Sequence, residues 1–327
     1  MRRRELLLAA AAGGLLSRRA GAQAQTRSVR IGWLTAQRPA SLVPFVQAFR
    51  SSLADLGFVD GRNLTIDFRY GDDDASKVAG LADELVRLPV DLIVVQGEAV
   101  LEIKALSLPV PVVYAYSGDP VVAGLAESLA RPNPSMTGLT YMAVELNGKR
   151  LELLREMAPS IRRVALLANP AYPGESDERA NSVSAAGRIG FDVRYVGART
   201  GDELKAAFAK MAADKAQAIS LLADSFTVQN RDRIVAYAMD RRIPVVSSWP
   251  VYAEAGALCA YGPRLVDSYR RLAYYADRVL RGTAPADLPI EQPTTIETIV
   301  NLKTAAALGV KVPESVLVRA NRVIGAS

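Results

Sequence analysis

The residues of this 327-residue chain that could take part in chemistry are bounded first by what is missing: it has no histidine and a single cysteine, Cys259. Ser-His and Cys-His nucleophilic catalysis and the usual zinc sites are excluded together. Neither standard glycine-rich phosphate loop occurs. Carboxylates, lysine, tyrosine and serine remain. What the chain does carry is a set of polar and aromatic residues placed just beyond short apolar runs. Thr35 and Gln37 follow Val29–Leu34, and Gln96, Gly97 and Glu98 follow Asp91–Val95. Tyr116, Ser117 and Asp119 follow Pro109–Val113. In the second half Asn169 and Tyr172 follow Arg163–Ala168, Asp224, Ser225 and Phe226 follow Ala218–Leu222, and Trp249 follows Ile243–Ser247. Such a mixture of hydrogen-bonding groups and rings suits a polar ligand with an apolar part. Singly, Asp119 and Asp224 equally suit capping of a following helix. Together they are the pair that a carboxylate-dependent enzyme would use.

The elements that must position these residues alternate. Short apolar runs rich in β-branched residues read as buried strands, and the amphipathic segments between them read as helices. Strand–helix alternation predicts an α/β fold with parallel sheets, whose ligands lie beyond the carboxyl ends of the strands. The stretch from Pro109 to Thr140 organises the chain. It opens as a strand and turns at Ser117-Gly118-Asp119-Pro120. A short helix is expected over Val121–Ala130, stopped by Arg131-Pro132-Asn133-Pro134. The pattern then restarts. Leu56-Gly57-Phe58, Arg69-Tyr70, Asp91–Val95 and Pro109–Val113 are answered by Ile189-Gly190-Phe191, Arg194-Tyr195, Ala218–Leu222 and Ile243–Val246. Two Rossmann-like parallel-sheet domains facing one another are the simplest account. Beyond Gly262 the repeat ends in a long amphipathic helix, Val266–Leu280, a strand-like Thr294–Val300 and a terminal helix, Lys303–Leu308.

The first 24 residues read as an export signal, with Arg2-Arg3-Arg4, an apolar run Leu6–Leu16 too short to span a bilayer, and a small-x-small site at Ala22-Gln23-Ala24. Arg3-Arg4-Glu5-Leu6-Leu7 fits the twin-arginine pattern, and an ordinary secretory signal is the alternative. These residues hold five arginines against one glutamate, so most of the formal +6 charge belongs to them. No basic run with interleaved aromatics remains, and no nucleic-acid partner is expected. A lone cysteine allows no internal disulfide. A periplasmic monomer without membrane insertion, metal or cofactor is the expectation.

Over nearly all of the chain beyond residue 24 the sequence resembles the substrate-binding proteins of ABC transporters, in the branch with the type I periplasmic-binding-protein fold. The resemblance is carried by Arg30-Ile31-Gly32-Trp33-Leu34, Gly61-Arg62-Asn63-Leu64, Asp83-Glu84-Leu85-Val86, Gly118-Asp119-Pro120, Leu129-Ala130-Arg131-Pro132 and Thr137-Gly138-Leu139. It continues through Gly148–Leu154, Tyr252–Gly256, Leu288–Thr294 and Asn301–Ala305. It implies a non-enzymatic binding protein that closes by hinge motion on a small polar, amino-acid-like ligand and hands it to an inner-membrane permease, or serves as the ligand-binding part of a sensory system. It implies one lobe from 25–143 plus 262–289 and another from 144–261 plus 290–327, with a three-strand hinge at Tyr141–Glu145, Tyr261–Pro263 and Pro289–Pro293. Where relatives carry Gly-Thr-Pro or Gly-Ser-Pro, this chain has Gly97-Glu98-Ala99. A hydroxyl at a helix N-terminus helps hold a carboxylate, whereas Glu98 would select a positive or hydrogen-donating group.

Overall fold

A computed structural model describes residues 28–325 except 73, 98, 107, 142, 143, 173 and 223, and only the backbone of 75, 145 and 225. The export segment and Glu98 lie outside the described residues.

The first half runs β1 (Val29–Thr35), α1 (Val43–Asp55), β2 (Leu64–Tyr70), α2 (Val78–Val86), β3 (Leu92–Gln96), α3 (Ala99–Leu106) and β4 (Val112–Tyr116). A two-stranded ribbon, β5 (Ala126–Ser128) and β6 (Arg131–Pro132), then leads to β7 (Met136–Thr140). The sheet order is β2-β1-β3-β4-β7, parallel throughout. Both β3 and β4 are buried along their whole length, as strands with helices on both faces must be.

The second half runs α4 (Glu145–Met157), β8 (Arg163–Ala168), α5 (Glu175–Arg188), β9 (Asp192–Gly197), α6 (Gly201–Ala213), β10 (Ala218–Leu221), α7 (Ser225–Gln229), α8 (Arg231–Asp240), β11 (Val245–Ser247), α9 (Pro250–Ala255) and β12 (Cys259–Pro263). Its order, β9-β8-β10-β11-β12, repeats that of the first sheet strand for strand. The repeat reaches single residues. Gly138 in β7 and Gly262 in β12 occupy equivalent strands, and a Cβ at either would lie 2.0 Å from the Tyr114 carbonyl oxygen or 2.1 Å from that of Ser248. Only glycine permits so close an approach.

After β12 the chain returns to the first lobe as α10 (Leu265–Leu280), whose Tyr269, Leu272, Ala273 and Ala276 pack with Phe45 and Phe49 of α1. Ile290 N–H then bonds the Leu129 carbonyl at 2.7 Å and Thr140 N–H bonds the Glu291 carbonyl at 2.9 Å, so this segment still belongs to the first sheet's edge. The chain next crosses back into β13 (Ile296–Asn301), α11 (Leu302–Leu308), α12 (Glu314–Arg319) and β14 (Arg322–Ile324). The two sheets are thus joined by three crossings: 141–144, the step from β12 to α10, and 291–295.

Three expectations are corrected. Residues 121–125 form turns and no helix forms over Val121–Ala130. Asp119 Oδ1 takes the Val121 and Val122 N–H groups, one turn closes from Leu125 N–H to the Pro120 carbonyl, and Gly124 at φ +65° then turns the chain away. The second sheet is not wholly parallel, because β13 returns antiparallel to β12. Lys303–Leu308 is not the last element either, since Gly309 at φ +70° closes α11 and β14 goes on to pair beside β13.

Candidate functional site

The pocket between the two sheets lies where their strand order reverses. Thr35 and Gln96, the last residues of β1 and β3, face each other in register at that point. Ligands of open α/β sheets bind in the crevice at such a point. Gln37, Ser41, Leu42 and Phe45, after β1, form one wall, and Gln96, Gly97, Ala115 and Ser117 form its floor. The second lobe supplies Asp224 and Val228 around α7 and Trp249 and Val251 at the start of α9. The back wall is Tyr141, from the first crossing, with Leu265 and Tyr269, from the first turns of α10 just after the second. Its enclosed space is about 60 Å³, and its mouth opens to solvent.

Aromatic rings dominate it. Tyr269 lies 5.1 Å from Phe45, and Tyr141 meets Trp249 edge-to-face at 5.2 Å and 79°. The Tyr269 hydroxyl donates to Gln96 Oε1 at 2.6 Å. Burial raises the pKa of the Tyr141 and Tyr269 hydroxyls well above the phenolic value, so both stay protonated. Asp224, only 2% exposed, does two things at once. It lines the pocket, and it caps α7 by accepting from Thr227 N–H at 2.9 Å and from the Thr227 hydroxyl at 3.2 Å.

Of the residues picked out by sequence, Gln37, Gln96, Gly97, Ser117, Asp224 and Trp249 come together in this pocket. Thr35 is buried one step behind it, its hydroxyl accepting from Gln37 N–H at 3.2 Å. Asn169 and Phe226 line a separate cavity with Asp74, Arg199 and Asn230. Tyr172 bridges the lobes, its hydroxyl donating to the Ser117 carbonyl. Ser225 opens α7, and its side chain is outside what is described.

Two others do not line this pocket. Tyr116 is 2% exposed and belongs to the apolar core beneath the first sheet, because Gly118 leaves room for its ring to fold back. Asp119 is spent on the turn it caps and does not line the pocket, so it forms no pair with Asp224 there. Phe45, Tyr141, Leu265 and Tyr269 were missed. No local signal marks them, since they sit on helix faces and crossings that reach the pocket only after the chain has passed through both sheets.

The family model for ABC transporter substrate binding proteins matches residues 38–324. The "Tyrosine-binding protein" of Clostridioides difficile (strain R20291) is 25% identical over 268 residues, covering 80% of this chain and 75% of the relative. Among solved structures, an ABC domain from Streptococcus pneumonia in complex with L-Trp superposes with a TM-score of 0.83 at 25% identity, covering 91% of this chain and all of that one. A conserved domain protein from Vibrio cholerae superposes with a TM-score of 0.82 at 21% identity, with the same coverage. A ligand-free, open substrate-binding protein with adhesive properties from Clostridium difficile gives 0.67 at 22% identity, covering 90% of this chain and 99% of that one. With two repeated α/β lobes, a three-crossing hinge and an aromatic pocket between them, the chain belongs to the ABC transporter substrate-binding proteins, of type I periplasmic-binding fold.

Proposed function

We propose that this binding protein captures an aromatic amino acid, or a close analogue with an aromatic body and a charged head, and delivers it to its ABC permease. One observation carries the reading: rings from both lobes and from the first crossing, Phe45 and Tyr269, Trp249, and Tyr141, wall a single pocket with polar groups at its floor. A planar side chain entering between them buries its faces against all the parts that move relative to one another. Ligand burial and lobe closure are then the same event. Relatives named for binding tyrosine and L-Trp support this choice. The chain's own signal, Arg3-Arg4-Glu5-Leu6-Leu7, supports export by the twin-arginine route.

Incubating the purified chain with a mixture of the twenty amino acids, followed by native mass spectrometry, is expected to show one unmodified aromatic amino acid bound per chain. Scattering should show a smaller radius of gyration in that complex. Retention of an aliphatic amino acid alone, or a converted product, would overturn the reading.

Glu98 enters as the residue that meets the ligand's ammonium group. The support is its place in the sequence, directly after Gln96 and Gly97, both of which line the pocket. A charged hydrogen bond lost from a closed site costs roughly 1.5–3 kcal/mol, about ten- to a hundred-fold in affinity. Glu98→Gln is therefore expected to weaken binding of the captured amino acid by that factor in calorimetric titration. Equal affinities would remove Glu98 from the site.

A further inference from the structure

One buried donor on a pocket-lining side chain has no partner. Gln96, the last residue of β3, is 4% exposed and lines the floor of the pocket. The Tyr269 hydroxyl, from the first turns of α10, donates to its Oε1 at 2.6 Å. That bond engages one end of the amide. The other end, Nε2, has two N–H groups to give and is buried without a hydrogen bond. Native structures leave few such groups unpaired, because a buried donor without an acceptor bears the full cost of leaving water.

The charges around the pocket say which acceptor suits it. Among the described residues that line it, Asp224 is the one charged side chain, with no lysine or arginine beside it. An amino acid brings an ammonium, which a carboxylate such as Asp224 can meet, and a carboxylate of its own, which finds no cation there. Neutral donors must hold that carboxylate. Gln37, Ser41 and Ser117 are half-buried and keep access to water. The Gly97 N–H is taken by the Ala115 carbonyl at 3.0 Å. Gln96 Nε2 is the buried donor in this lining that nothing else satisfies.

We propose that Gln96 is the specificity-determining residue for the ligand's carboxylate, which it meets through Nε2, and that Tyr269 is its positioning residue. An amide N–H donating to a carboxylate makes a charge-assisted bond, roughly twice as strong as a neutral one. The Tyr269 hydroxyl polarises the amide from its far end and holds it in one orientation. Tyr269 is itself 4% exposed and packs against Phe45 of α1, so the amide is held by a rigid part of the first lobe. Without a carboxylate on the ligand, Nε2 stays unpaired, and the pocket thereby selects against amines that share the same side chain.

This inference rests on the reading of the ligand as an amino acid, not on its side chain being aromatic. Two matched pairs test it by calorimetric titration: L-tyrosine with tyramine, and L-leucine with 3-methylbutylamine, the second of each pair lacking only the carboxylate. In Gln96→Met the affinity for L-tyrosine should fall about ten- to a hundred-fold while that for tyramine stays within about three-fold. In Tyr269→Phe the L-tyrosine affinity should fall about three- to ten-fold, again without tyramine following. Added to Gln96→Met, it should cost nothing further, as a positioning role requires. A merely structural tyrosine would lower both ligands alike. Because the double variant removes donor and acceptor together, it should unfold, without ligand, within about 2 °C of the parent or above it. Equal losses for L-tyrosine and tyramine, or no loss for either, overturn the role of Gln96. A double variant that unfolds below that range assigns the pair to the fold instead. If L-leucine binds and L-tyrosine does not, the aromatic reading falls while L-leucine and its amine decide Gln96 in the same way. If none of the four binds, the amino-acid reading and this inference fall together.

Discussion

Replacing Arg150 with methionine is expected to destabilise the fold by about 3–6 kcal/mol, the cost of stripping two buried acceptors of their charged donor at roughly 1.5–3 kcal/mol each. The side chain is 5% exposed, and its methylene stem can be matched by methionine, so little of the loss would come from packing. Two acceptors, the Tyr261 carbonyl and Asn147 Oδ1, lose their donor, and Glu178 loses its counter-charge. The loss should itself depend on pH. Arg150 holds the Glu178 carboxyl below where burial alone would put it. Without it the proton is retained to still higher pH, so the penalty is larger at pH 8, where the parent's Glu178 is charged, than at pH 6, where it is already neutral. In the parent, a carboxyl raised from 4.5 to about 7 makes the native state bind its proton more tightly than the unfolded chain does. That contribution is full below about pH 4.5, is lost as pH climbs to about 7, and changes no further above it. Urea unfolding of the parent and Arg150→Met at pH 6 and pH 8 checks both statements. A loss below about 1 kcal/mol, or one equal at the two pH values, would show that the pair does not act as described.

Trp249→Ala is expected to weaken binding of the aromatic ligand by about 2–4 kcal/mol, or roughly 30- to 1,000-fold, the range for a buried aromatic anchor. Trp249 supplies the second lobe's ring to the pocket and holds Tyr141 edge-to-face, so its removal opens the wall and frees the ring beside it. Trp249→Phe keeps an aromatic face and should retain most of the affinity. Because Trp249 is 6% exposed and packs into the second lobe's core, thermal unfolding of each variant separates lost folding from lost recognition. An affinity within three-fold of the parent in a folded Trp249→Ala would place the ligand elsewhere in the cleft.

The sequence by itself determined the two-lobed α/β plan, the internal repeat and most of the strand-end residues around the cleft. These are local properties. An apolar run of five or six residues bounded by turn formers has to be a buried strand, and whatever follows it has to lie at the sheet's carboxyl edge. For that reason Gln96, Ser117, Asp224 and Trp249 could be placed at the cleft before any coordinates. Tertiary structure alone decided which members of that set turn inward. Asp119 and Asp224 occupy matching places after their strands, yet one is used up on a tight turn and the other lines the pocket. The outcome depends on Gly124, which breaks the first segment, against Thr227, which lets the second continue as α7. The aromatic walls were also beyond local reading. Tyr269 follows β12 of the second sheet in sequence but packs on α1 of the first, and Tyr141 owes its position to the crossing that carries it. Arg150 and Glu178 are likewise buried on two helices that pack together although their sequence spacing carries no sign of it. Period and turn chemistry act over a few residues, whereas a pocket between lobes is built by chain segments that meet only once both sheets are complete.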